Sequence, residues 1–450
     1  MQGLQPVVSN FKLRGSYGSL GNQAASSYGY ISTFEPIPSE YLFDGSLPLG
    51  VKTPGLVSSN YTWEKVTTAN IGADIGLFDN KLNLTMDIYE RNTTGMLSNG
   101  RDLPDVLGAL EPRENAADLR NRGWELSVAY QTSIKTGADP INFNARFLLS
   151  DSRSIITDFE NPNQTLTQYR KGMELGEIWG LTSNGLFQNQ AQIDALDQSS
   201  IIPWGALSIV PGWPTYIDKN GDGKIEAGLT ADNAKDLSVI GNSAPRYNIA
   251  LDLNVNWKGF DVRAFFQGVA KRDYYPLDYL YWGFYQQPYA GGYTHLLDFY
   301  RPDSDSAIDM AKHAQAYLNA GLADQNLNSK YPILQSWLAD VNLGTANGDA
   351  KGLAIPQTGY MLNGAYLRFK NLTIGYTIPA SITKKWHLSN VRFYASGENL
   401  YEWSALKKHY DPESININAG IDPSKNTERT GNGYAYPWQR RYSIGMNVNF

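Results

Sequence analysis

The sequence predicts an all-β protein: an antiparallel transmembrane β-barrel, here a partial barrel of roughly ten strands with long extracellular loops. Three observations carry that expectation. Apolar residues recur at every second position through much of the chain, and short connections alternate strictly with long ones. Rings and small residues are abundant as well, with 29 Tyr, 11 Trp and 42 Gly among 450 residues. Side chains of an extended strand point alternately to its two faces, so a period of two gives one apolar face and one polar face.

The strands follow in order. FKLRGSYGSL places Phe11, Leu13 and Tyr17 in phase, and NIGADIGLF does the same with Ile71, Ala73, Ile75 and Leu77. After Asp79 and Asn80, KLNLTMDIY resumes with Leu82, Leu84, Met86 and Ile88. GWELSVAY and INFNARFLL repeat the pattern, and RYNIALDLNVNW alternates Ile249, Leu251, Leu253, Val255 and Trp257 with Asn and Asp. Lys258 and Gly259 turn that strand into FDVRAFFQGVA. AYLRFKNLTIGYTIP, VRFYASGENLYEW and RRYSIGMNVNF complete the set, the last with Tyr442, Ile444, Met446, Val448 and Phe450 on one side. Strands of about 9 to 15 residues suit a tilted crossing of a bilayer.

The connections give the chain a direction. Short links fall at 79–80, 135–140, 258–259 and 379–389, whereas long ones run over 21–67, 97–120, 153–246, 271–363 and 404–440. Outer-membrane barrels put short turns at the periplasmic end and long loops outside. That rule places Phe450 at the periplasmic end. Apolar faces rich in Leu, Ile, Val and Phe then meet lipid, and the Asn, Asp, Ser and Arg faces meet a wet lumen. Rings near strand ends, among them Trp124, Trp257, Tyr376 and Tyr442, suit the headgroup belts. The alternative for the same alternation is a soluble sandwich whose apolar faces cover each other.

Composition removes several classes. A formal net charge of −6 with 18% charged residues, and no basic run, argues against nucleic acid as a partner. With no cysteine the chain has neither a disulfide framework nor a thiolate site. It holds no apolar run long enough for a helical span, and its opening MQGLQPVVSN lacks a leader pattern.

The sharpest local motif is YIDKNGDGKIE. Asp218, Asn220 and Asp222 stand at positions one, three and five of a calcium loop, Gly223 at the tight turn, Lys224 at the carbonyl position and Glu226 at nine. These hard oxygen donors make a structural calcium ion the expected cofactor. Leu229 occupies position twelve, where a bidentate Glu belongs, so a metal-free turn is the competing reading. No spacing for a catalytic triad, a zinc helix or a phosphate loop occurs, and the protein is read as a non-enzyme. Trp179, Trp204, Trp213, Tyr274, Tyr275, Tyr281 and Trp282, all in long loops, are the candidate ligand contacts, because sugars stack and peptides pack on flat apolar rings. The competing reading has these rings filling the loop interior.

Several runs together resemble one family. FKLRGSYGSLGNQ, WEKVTTANIGADIGLFDNKLNLTMDIYERNTTGML, NRGWELSVAYQ, GMELGEIWGLTSNGLFQ, DKNGDGKI, VIGNSAPRYNIALDLNVNWKGFDVRAFFQG, AYLRFKNLTIGYTIP and VRFYASGENLYEW are similar to the barrel of the SusC/RagA family of TonB-dependent outer-membrane transporters. The resemblance implies the C-terminal half of such a barrel over residues 1–450, in the bacterial outer membrane. It implies energised uptake of oligosaccharides or peptides, a SusD-like surface lipoprotein as lid, and the TonB complex as energy source. The plug and N-terminal domains, and the remaining barrel strands, are then expected in sequence outside this chain. A terminal aromatic, here Phe450, resembles the signal read by barrel-assembly machinery. A small self-contained passive channel and a soluble all-β glycan-binding or glycan-cleaving protein are the alternatives.

Overall fold

The computed structural model describes residues 7–23, 28–99, 104, 106, 112–137, 139–277, 279–303, 310–339, 351–415 and 437–450. Its largest element is a ten-stranded antiparallel sheet whose strands neighbour one another in sequence order. They are β1 (Val8–Asn22), β2 (Glu64–Leu77), β3 (Leu82–Asn99), β4 (Arg113–Ile134) and β5 (Ile141–Phe159). The second five are β6 (Arg246–Trp257), β7 (Phe260–Lys271), β8 (Tyr366–Thr377), β9 (Asn390–Ser404) and β10 (Arg441–Asn449). The expected all-β class and strand count hold. Among the described residues β1 and β10 are the two edges of the sheet.

By contacts the chain divides into two units, one comprising Met1–Gln131, Arg146–Gln164 and Tyr169–Leu175, the other Thr132–Ala145, Thr165–Gln168 and Gly176–Phe450. In the first, the β2–β3 register sets Ile71 opposite Ile88, Ala73 opposite Met86 and Ile75 opposite Leu84, alternating with Gly72 opposite Asp87 and Asp74 opposite Thr85. The apolar pairs are not covered: Ile71 is 67% and Ile88 57% exposed. On the polar face Arg14 reaches Asp74 and Asp87, each at 2.9 Å, and Arg122 reaches Glu90 at 2.5 Å. The β2–β3 turn holds Phe78, Asp79 and Asn80 at φ of 54°, 57° and 58°. Asp and Asn tolerate that left-handed region, which keeps the connection short.

The second unit repeats the division of faces. Leu251 stands opposite Phe266, Val255 opposite Val262 and Trp257 opposite Phe260 across β6–β7. Phe393 stands opposite Met446 and Ala395 opposite Ile444 across β9–β10. Ile444 is 91% exposed. Arg263 pairs with Asp252 at 2.7 Å and Arg392 with Asp261 at 2.5 Å, again on the polar face.

Strand length departs from expectation. The sequence puts 97–120 in a long loop, yet β4 begins at Arg113 and Asn99 pairs with Arg113. β3, β4 and β5 run to 18, 22 and 19 residues. Backbone pairing satisfies N–H and C=O groups whether or not the side chains alternate, so a hairpin continues past the point where its apolar pattern stops.

The connections of the second unit are themselves folded. Eighteen buried residues form one core there, drawn mainly from 274–299 and 331–360, with Phe187, Trp213, Leu406, Tyr410 and Ile415 added from other connections. A smaller cluster joins Leu181, Ile201, Tyr216, Ile225 and Ile355.

Candidate functional site

The loop core is built ring against ring. Tyr281 and Trp282 meet edge to face with centroids 5.0 Å apart, Trp282 meets Tyr360 at 5.2 Å, and Tyr274 meets Tyr410 at 5.4 Å. Several polar tips are answered within the core, as burial of such rings favours, although Trp213 Nε1 meets no acceptor. Tyr275 Oη donates to the Leu353 carbonyl at 2.7 Å, Tyr285 Oη to the Pro332 carbonyl at 2.7 Å, and Trp282 Nε1 to the Pro276 carbonyl at 2.8 Å. The Tyr281 and Tyr331 hydroxyls share a bond of 3.0 Å. Burial pushes the phenols of Tyr275, Tyr281 and Tyr360 up, so all three stay neutral at ordinary pH.

Two histidines sit in this core. Their rings are 4.5 Å apart, and His295 Nε2 lies 2.9 Å from the Tyr281 carbonyl oxygen. Burial pushes His409 down to about 4, helped by His295, Lys330 and Lys408. His295 is also lowered, chiefly by burial.

The candidate ligand contacts part company here. Trp213, Tyr281 and Trp282 are 0% exposed, and Tyr274 and Tyr275 are buried with them, so their faces are covered by protein. Trp179 is half-buried, its Nε1 donating to Glu177 at 3.1 Å. Trp204 keeps an open face at 43% exposure. Trp204 has company that the sequence reading did not name. Trp337 meets Trp204 at 6.3 Å and 77°, and it meets Tyr289, 78% exposed, at the same distance and angle. Two connections, the one carrying Trp204 and the one carrying Tyr289 and Trp337, thus bring an aromatic group together. Trp337 holds φ at 71°, a region bulky residues rarely adopt. Trp and Tyr codes in long connections carry no local signal of this meeting.

The 218–226 loop makes the expected tight turn with its own groups. Asp218 accepts the N–H groups of Gly221 at 2.7 Å and Gly223 at 2.8 Å, and Asp222 accepts that of Lys224 at 2.9 Å. That N–H, with the Asn220 amide, holds the Asp222 carboxyl below its usual range. Glu226 is paired with Lys235 at 3.1 Å. Asp236, fully buried, closes the loop by accepting the N–H groups of Lys219 at 2.8 Å and Glu226 at 2.7 Å. Calcium takes six to eight oxygens. Leu229 at position twelve is exposed and gives none, and among the described residues no three His, Cys, Asp or Glu groups come together to hold a metal. As folded, the Asp218, Asp222 and Glu226 carboxylates are engaged with the loop's own N–H groups and with Lys235.

A charged cluster ties the sheet to the connection after β9. Arg368 of β8, with only 3% of its side chain exposed, bonds Glu402 and reaches Asp411 at 2.7 Å, and Lys370 reaches Glu413 at 2.6 Å. At the other end of the sheet Phe450 is exposed.

Comparison with known proteins gives a consistent picture. No protein-family model matches the chain. TonB-dependent receptor P3 of Formosa agariphila is 26% identical over 99% of this chain and 40% of its own length. TonB-dependent receptor P26 of the same organism is 23% identical over 99% and 40%. TonB-dependent receptor SusC of Bacteroides thetaiotaomicron is 27% identical over 27% of this chain and 12% of its own length. Among solved structures, the RagAB peptide transporter matches with a TM-score of 0.63 at 20% identity, covering 99% of this chain and 41% of the other. The RagAB peptide importer in the 'closed-closed' state matches at 0.65 and 19% over the same shares. The chain spans about two-fifths of the length of receptors P3 and P26 and of the RagAB chain. By sequence and by fold, the chain is therefore shown to resemble the SusC/RagA family of TonB-dependent outer-membrane transporters along 99% of its length.

Proposed function

We propose that this chain supplies part of the barrel wall and the outer loops of an outer-membrane, TonB-dependent importer. The observation that supports this most is the exposure of the apolar strand faces: Ile71, Ile88, Ile374 and Ile444 have no second protein layer over them among the described residues. Water disfavours so much apolar surface, and hydrocarbon accepts it. The sandwich alternative needs those faces covered.

The cargo in this reading is an oligosaccharide or a peptide, taken up beneath a SusD-like lipoprotein. The group of Trp204, Tyr289 and the half-buried Trp337 between them is the part of the loops we assign to cargo or lid contact, since Trp204 and Tyr289 are exposed. The buried aromatics shape the loops instead. In this reading the plug, the TonB contact and the remaining strands are supplied by other sequence. The relatives carry receptor and transporter names, and the chain is read as a non-enzyme.

The test has two stages. The protein in its native membrane resists carbonate extraction and migrates in a heat-dependent way; release by carbonate ends the reading. Uptake of labelled oligosaccharide or peptide by producing cells then stops when an uncoupler collapses the proton gradient. Uptake that continues, with conduction by this chain alone, establishes the passive channel.

A further inference from the structure

The two ends of the strands differ in charge as well as in connection length. The connection 160–245 carries ten acidic and five basic residues, and 272–365 carries nine and five. The short turns reverse the sign. Residues 78–81, 135–140, 258–259 and 378–389 together hold five lysines and two aspartates.

Two of these turns are neighbours by register. Phe260, which opens β7, faces Tyr376 at the end of β8 with ring centroids 4.6 Å apart, and the Thr377 N–H donates to the Gly259 carbonyl at 2.7 Å. Lys258 Nζ lies 5.1 Å from the centroid of the Trp257 ring. Lys258 does so at φ 46°, a turn position where Asn, Asp or Gly is the ordinary choice. A lysine is thus held where backbone geometry disfavours it. The 378–389 turn folds into a helical turn, Ala380–Thr383, and a 3-10 turn, Lys384–Trp386. Lys384, Lys385 and Trp386 are exposed there, as is Ile382. Among the described residues none of the ammonium groups of Lys258, Lys384 and Lys385 is paired with a carboxylate.

We propose that the rim made by Trp257, Lys258, Lys384, Lys385 and Trp386 docks the phosphodiester headgroups of anionic glycerophospholipids at the short-turn end of the strands. The inference rests on the membrane-spanning reading. Indole rings settle at the boundary between hydrocarbon and headgroup, and lysines beside them reach the phosphate layer. Unpaired ammonium groups favour an anionic over a zwitterionic headgroup, and the acidic long connections carry the opposite bias.

Native mass spectrometry of the full protein in neutral detergent, with phosphatidylglycerol and phosphatidylcholine in equal amounts, tests this. Wild type retains phosphatidylglycerol over phosphatidylcholine by about ten-fold, and Lys258→Gln with Lys384→Gln and Lys385→Gln brings the two near parity. A control variant, Lys330→Gln with Lys351→Gln on the 272–365 connection, keeps the preference. Unchanged heat-dependent migration shows that each variant is folded. Equal retention by wild type, an undiminished preference in the triple variant, or displacement of phosphatidylglycerol by lipid A overturns the proposal while leaving the membrane reading intact. A protein that stays dispersed without detergent and binds neither lipid overturns both.

Discussion

The wall strands and the loop core use the same residue types in opposite ways. Ile444 on β10 is 91% exposed, whereas Tyr281, Trp282 and Leu338 in the connections are fully enclosed. A protein folded for water alone would hide both. In the proposed reading two media shape this chain: the connections make an ordinary close-packed interior, and the strands leave an apolar face uncovered among the described residues.

Trp282→Ala should show the largest effect. Removing a ring packed against Tyr281, Tyr285 and Tyr360 costs about 3–5 kcal/mol. Hydrogen exchange should then accelerate through the connections while β6 to β9 stay protected. Loss of protection in both would mean that the two regions do not behave independently.

Ile71→Arg probes the other medium. An arginine on a lipid-facing position near mid-bilayer costs about 2–4 kcal/mol, read as the folding free energy in lipid vesicles. A neutral result would put that face in water.

One pH effect is expected in the loop core. The folded His409 lies at about 4, below the unfolded value near 6.5. Between those values the unfolded chain binds the proton and the folded chain does not, so loop stability is full above about 6.5 and declines as pH falls toward 4. His409→Phe should flatten that slope in thermal unfolding of the connections; an unchanged slope would assign the proton uptake elsewhere. His295, Lys330, Lys408 and the tyrosines around the ring are the other titratable groups in reach. The smallest effect is expected from calcium, which should leave the unfolding of the 218–226 loop unmoved. A rise of several degrees would show that the loop can rearrange its donors around an ion.

The strand wall was legible because its signal is local. A two-residue period and a run of turn residues such as Asp79 and Asn80 are complete within a few positions. The loop interior was not, because burial there is decided by closure between distant segments. Trp213 and Trp204 lie nine residues apart in similar surroundings of Gly, Pro and Ile, yet one is enclosed and the other open. The calcium-type spacing was visible, but the residues that complete the loop, Lys235 and Asp236, come from beyond the motif.

Arg14, Arg122, Arg263 and Arg392 each have a carboxylate from another strand of the sheet within 2.9 Å. The charge of these four arginines is therefore answered at short range. In the proposed importer, a solute passing those four positions would meet paired charges in place of lone cations.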